Sequence, residues 1–178
     1  MRLHDIRAPR ERRSSPGGRM LTTGILCMAG ASAGILGKLL DLYTTNLGNL
    51  FSALAVWVLL GTLIAVYSAT PRRAALHVFL FCIGMLAAYY LTAERTGSVY
   101  SRLFIHGWTA FSFLSPVFAA LTWYAKGRGA VALVLKLGIL ACTVLMTILL
   151  FDRLRGYDLV IVALEAVVLF KKEKWMTE

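Results

Sequence analysis

Glu165 and Lys136 are the ionisable side chains set deepest in apolar sequence, and their types and spacing raise the first chemical question about this chain. A carboxylate about eight residues inside an apolar helix is costly enough to be protonated, paired with a cation, or turned towards a wet cavity. Lys136 is its one charged counterpart at depth. If the last two apolar segments form an antiparallel hairpin about Leu154, Glu165 lies level with roughly Thr143, which is about seven residues or ~10 Å along the axis from Lys136. Two arrangements follow: the side chains stretch towards each other, or Lys136 snorkels to the nearer interface while Glu165 bonds to another helix as a neutral acid.

A second constellation arises where apolar segments end. Lys38 and Asp41 close the first, Asn46 and Asn49 open the second, Tyr89, Tyr90 and Glu94 close the third, and Arg102, His106 and Trp108 open the fourth. Donors, acceptors and aromatic rings brought to one depth from four helices are what a small polar ligand needs. The competing reading is an interfacial belt, where Tyr and Trp concentrate anyway and Lys38 and Asp41 pair at i, i+3.

The elements that position these residues are legible in hydropathy. The chain has 178 residues, 58% of them hydrophobic and 16% charged, with a mean hydropathy of +0.70, more apolar surface than one soluble core of this size can hide. Segments 20–40, 49–68, 74–92, 104–124 and 130–151 are each about 20 residues, enough at ~1.5 Å per residue to cross a ~30 Å hydrocarbon layer. The sixth, 157–170, reaches that length when extended to Trp175, with Lys171, Lys172 and Lys174 snorkelling. The expected fold is all-α, a six-transmembrane-helix bundle. Its domains are a disordered basic tail at 1–19, a membrane domain at 20–175 and a short tail at 176–178.

Charge orients this bundle. Arg2, Arg7, Arg10, Arg12, Arg13 and Arg19 precede the first segment, Arg72 and Arg73 join the second to the third, Lys126 and Arg128 join the fourth to the fifth, and Lys171, Lys172 and Lys174 follow the sixth. The opposite face carries Arg95, Arg102, Arg153 and Arg155. The positive-inside rule therefore puts both termini in the cytoplasm of a bacterial inner-membrane protein. The net charge of +10 reads as topology and contact with anionic lipid headgroups, not nucleic-acid binding, because no folded basic domain accompanies it. Ala31, Ser32 and Ala33 resemble a signal-peptide cleavage site, but apolar sequence continues to Leu40, as an uncleaved first span requires.

Several chemistries lack their signatures. Cys27, Cys82 and Cys142 lie in three different segments without C-x-x-C spacing and read as small core residues. Neither clustered metal ligands, a nucleophile elbow nor a nucleotide-binding loop is present, so no enzyme, metal or cofactor is expected.

Packing signals are clearer. Ala29/Ala33 and Gly30/Gly34 both have small-xxx-small spacing on the first helix, which lets a neighbour approach closely, whether another helix of this chain or a partner subunit or second copy. Pro116, midway along the fourth segment, deprives the Ser112 carbonyl of its helical donor and predicts a bend, either fixed or bordering a cavity.

Asn46 to Asn49, Trp57, Ala74-Ala75, Gly84-Met85 with Tyr89-Tyr90, Trp108, Pro116 and the run Trp123-Tyr124-Ala125-Lys126 resemble a family of small bacterial multi-span membrane proteins without assigned activity, over roughly residues 22 to 130. More loosely, the length, six spans and Ala29/Ala33 face are similar to the substrate-binding S components of energy-coupling-factor vitamin transporters, a resemblance that implies ATPase and scaffold partners. The residues and resemblances lead to two expectations. One is a small-solute binding or transport subunit with an outward-facing polar vestibule. The other is a non-transporting accessory subunit that binds a partner through the small-residue face of the first helix.

Overall fold

The computed structural model describes residues 6–9, 15–44, 53–98, 102–151 and 154–171. They form six α-helices: α1 (Pro16–Tyr43), α2 (Leu54–Tyr67), α3 (Pro71–Arg95), α4 (Arg102–Ala125), α5 (Ala130–Phe151) and α6 (Gly156–Phe170). Three stretches are long and apolar enough to cross a membrane: Gly17–Tyr43, Pro71–Arg95 and Ala130–Leu149. The 14-residue α2 is apolar but shorter.

Helix starts follow local chemistry. Ser15 accepts a hydrogen bond from the Gly18 amide at 3.2 Å, and Pro16 occupies the first turn of α1. Thr70 and Pro71 repeat the device on α3, with the Arg73 amide donating to the Thr70 hydroxyl at 3.2 Å. In both places proline removes an amide that would have no helical acceptor, and the hydroxyl satisfies another. The end of α3 is a Schellman turn: Ser98 N–H donates to the Ala93 carbonyl and Gly97 N–H to that of Glu94, with Gly97 at φ +61° where a side chain would be strained.

α3 is the hub, packed against α1, α2 and α4, while α2 also meets α5 and α6. Two buried clusters flank α2. One joins Trp57 and Ala65 of α2 to Val78, Phe81, Cys82 and Met85 of α3 and to Ala119 and Trp123 of α4. The other joins Val66 to Ala125 and Leu169, with Leu135, Ile139 and Leu140 of α5 packed around them. Large apolar side chains such as Phe113, Val134, Leu149 and Val167 point outward and are exposed, the surface a lipid-facing bundle presents.

α1 and α3 run parallel in very close contact. A Cβ on Gly30 would come within 2.2 Å of the Phe81 carbonyl oxygen, and one on Gly34 within 2.1 Å of that of Met85. From the other side, a Cβ on Gly84 would meet the Cys27 carbonyl at 2.6 Å. The small-residue face thus serves an intramolecular neighbour, where backbone approach and dispersion hold two helices together.

Pro116 leaves the Ser112 carbonyl without an amide donor, and the Ser115 hydroxyl takes its place at 2.8 Å. Both serines are buried, so the freed carbonyl is satisfied inside the bundle.

Candidate functional site

The parallel register of α1 and α3 continues one turn beyond Gly34 to Lys38, which lies against Tyr89. Lys38 is only 3% exposed. Its ammonium donates to Asp41 Oδ2 at 3.1 Å and sits 5.3 Å from the centre of the Tyr89 ring. The Tyr89 hydroxyl donates to the same Asp41 oxygen at 3.4 Å. A buried cation therefore has a counter-charge on its own helix and a π-face on the next, both of which offset its desolvation. The Asp41 side chain stays 39% exposed, leaving the carboxylate reachable from that end of the bundle. Tyr90 packs edge-on against Tyr89, their ring centres 5.4 Å apart.

The other residues expected at this end are less gathered. Glu94 and His106 are exposed, and Trp108 is half-buried against the first core cluster and edge-on to Phe111. Asn46 and Asn49 lie outside the described residues, as does the side chain of Arg102. On the small-residue face Gly30 and Gly34 are buried by α3, Ala33 is half-buried and Ala29 is exposed.

Glu165 lies midway along α6, where α2, α5 and α6 meet, and is 0% exposed. Thr62 donates to Glu165 Oε1 at 3.3 Å, and the Thr143 side chain lies against the same carboxyl. The hairpin register anticipated Thr143 as its neighbour. Lys136 does not share this site: its ammonium is 5.1 Å from the centre of the Phe170 ring, at the far end of α6, the snorkelling arrangement.

The opposite end of the bundle holds a third polar cluster. Arg7, 7% exposed, donates to the Trp123 and Val66 carbonyls, both at 2.9 Å, and stacks 4.5 Å from the Trp123 ring centre. These carbonyls belong to the last turns of α4 and α2, where helical donors run out and a cation meets the negative end of the dipole. Trp123 in turn donates its indole N–H to the Ser68 carbonyl at 2.8 Å. Lys126 treats α6 alike, donating to the Val168 carbonyl and, at 2.7 Å, to that of Lys171. Gly127 admits the segment: a Cβ there would lie 2.2 Å from the Ile6 carbonyl oxygen, which accepts from the Arg128 amide at 2.9 Å.

Sequence reasoning read residues 1–19 as a disordered tail, whereas Ile6 and Arg7 are buried. The acceptors that hold Arg7 are main-chain carbonyls 59 and 116 residues away, and these have no residue-type signature. Asp158, Thr62 and Thr147 were also missed, although the seven-residue step from Asp158 to Glu165 marks one helical face.

Among the described residues no group of three or more His, Cys, Asp or Glu comes together as metal ligands. No protein-family description, curated protein or solved structure matches the chain.

Proposed function

We propose that the chain is a six-span integral protein of a bacterial cytoplasmic membrane, with both ends inside, acting as a small-solute binding or transport subunit. The solute approaches from the end that carries Lys38, Asp41 and Tyr89. The observation that carries this reading is the convergence of a buried ammonium, a reachable carboxylate and two edge-on tyrosines from α1 and α3 at one depth. Such a set offers both hydrogen-bonding signs and an aromatic face to a small polar molecule.

Sidedness is supported by charge. Arg7, Arg72, Arg73, Lys126, Arg128 and Lys171 gather where α2, α4 and α6 finish and α3 and α5 begin, and cations favour the cytoplasmic face. The accessory-subunit reading is less favoured because Gly30 and Gly34, the heart of its docking face, are filled by α3.

The test is a thermal-shift screen of detergent-purified protein against vitamins, amino acids and small cations, repeated with Asp41→Ala and Tyr89→Phe. A bound solute raises the apparent melting temperature of the wild type, and both variants lose the rise. A screen with no stabilising compound counts against transport, and a rise preserved in both variants removes this site.

A further inference from the structure

Glu165 is a carboxyl with no exposure whose Oε2 has no hydrogen-bond partner. Its neighbours decide its charge. Thr62 donates to Oε1 at 3.3 Å, whereas Thr143 already donates its hydroxyl proton to the Ile139 carbonyl at 3.0 Å, so an ionised carboxyl here would be left with one long hydroxyl bond. The facing elements supply no cation. α2 contributes as its titratable residue Tyr67, exposed at its C-terminal end; α5 contributes Lys136, placed at Phe170, and the exposed Cys142. At the ends of α6 stand Arg155, Tyr157 and Asp158 on one side and Lys126 and Lys171 on the other, with Lys126 occupied by main-chain carbonyls. A bare carboxylate oxygen here costs far more than a neutral acid group short of one bond.

Asp158 repeats the pattern two turns away. It is 2% exposed; Oδ2 accepts from the Arg155 amide at 2.9 Å, while Oδ1 is buried without a partner. Asp158, Ile161, Glu165 and Leu169 form the buried stripe of α6, which sets the two carboxyls ~10.5 Å apart along the axis. Because α5 runs antiparallel to α6, Thr147 stands one turn from Thr143 in the direction of Asp158. It is buried, and its hydroxyl donates to the Thr143 carbonyl at 2.8 Å.

We propose that Glu165 is an exchangeable proton-binding site at the centre of the bundle, and that Asp158 is the carboxyl through which the proton reaches it from the N-terminal end of α6. In the transfer step the Asp158 O–H bond breaks, the Thr147 and Thr143 hydroxyls turn from their main-chain acceptors to relay the proton, each accepting one and passing one on, and an O–H bond forms on ionised Glu165. No electron moves. The inference rests on the α2/α5/α6 packing and is independent of any solute bound at Asp41.

The full-length protein in lipid vesicles is treated with dicyclohexylcarbodiimide, which enters membranes and reacts with protonated carboxyls, and separately with a water-soluble carbodiimide. Mass spectrometry is expected to find Glu165 modified by the first reagent alone, and modification by neither or by both equally overturns the site. Infrared spectra give a readout that needs no variant for exchange: a protonated-carboxyl C=O band should shift in deuterium oxide and be missing from Glu165→Gln. A band that never shifts, or that persists in Glu165→Gln, overturns the proposal. Asp158→Asn should slow the deuterium shift about tenfold or more, and an unchanged rate overturns the assignment of Asp158 as the entry carboxyl.

Discussion

Lys38 and Glu165 are both ionisable groups withdrawn from water, and the protein accommodates them in opposite ways. Lys38 meets the Asp41 carboxylate at 3.1 Å and the Tyr89 ring at 5.3 Å near a helix end. Glu165, in mid-helix, has threonine hydroxyls for neighbours and no cation among the groups that face it. Depth accounts for the contrast. Near a helix end a long side chain and a half-exposed partner share residual hydration, whereas at the centre an ion has only protein to replace its water.

The largest perturbation of this comparison should come from Gly34→Leu. Its side chain would start 2.1 Å from the Met85 carbonyl, so α1 must part from α3, at a cost of about 3 kcal/mol. Unfolding in mixed detergent micelles measures the loss. Lys38 should leave Tyr89 while the carbodiimide reactivity of Glu165 stays unchanged, and joint loss of both would show that the two sites are not separate.

Asp41→Asn comes next. Stripping a fully buried pair of one partner costs about 3–5 kcal/mol, but the exposure of Asp41 discounts this to roughly 1–2 kcal/mol. The double variant Lys38→Met with Asp41→Asn should recover most of it in a double-mutant cycle. A coupling near zero would make the pair incidental.

The smallest effect belongs to Thr62→Val, which removes one hydroxyl donor to a neutral carboxyl at a cost of about 0.6–1 kcal/mol, read in the same unfolding assay. If Thr62→Val costs more than Asp41→Asn, Glu165 is ionised and the contrast with Lys38 fails.

Much of the helical framework was legible because apolar length is a local property. The six expected segments each correspond to one of the six helices, although α1 begins at Pro16, four residues before the apolar run, since Ser15 and Pro16 form a start signal that hydropathy does not weigh. Pro116 and the stranded Ser112 carbonyl were likewise readable, but not the Ser115 hydroxyl that satisfies it, a rotamer choice. At the candidate site Lys38 with Asp41 followed from i, i+3 spacing. Tyr89 joined them only through the α1/α3 register.

By itself the sequence determined that the chain is helical and strongly apolar, that its cations favour one set of helix ends, and that Glu165 sits too deep to be an ordinary surface acid. Tertiary structure decided which helix fills the glycine face, that Lys136 turns to Phe170 instead of Glu165, and that Arg7 leaves the basic tail to cap α2 and α4. The division has a physical cause. Hydropathy and helix caps act within a few residues, while the partners of a buried polar group are main-chain oxygens and hydroxyls on distant helices, brought within hydrogen-bond range only when the bundle closes.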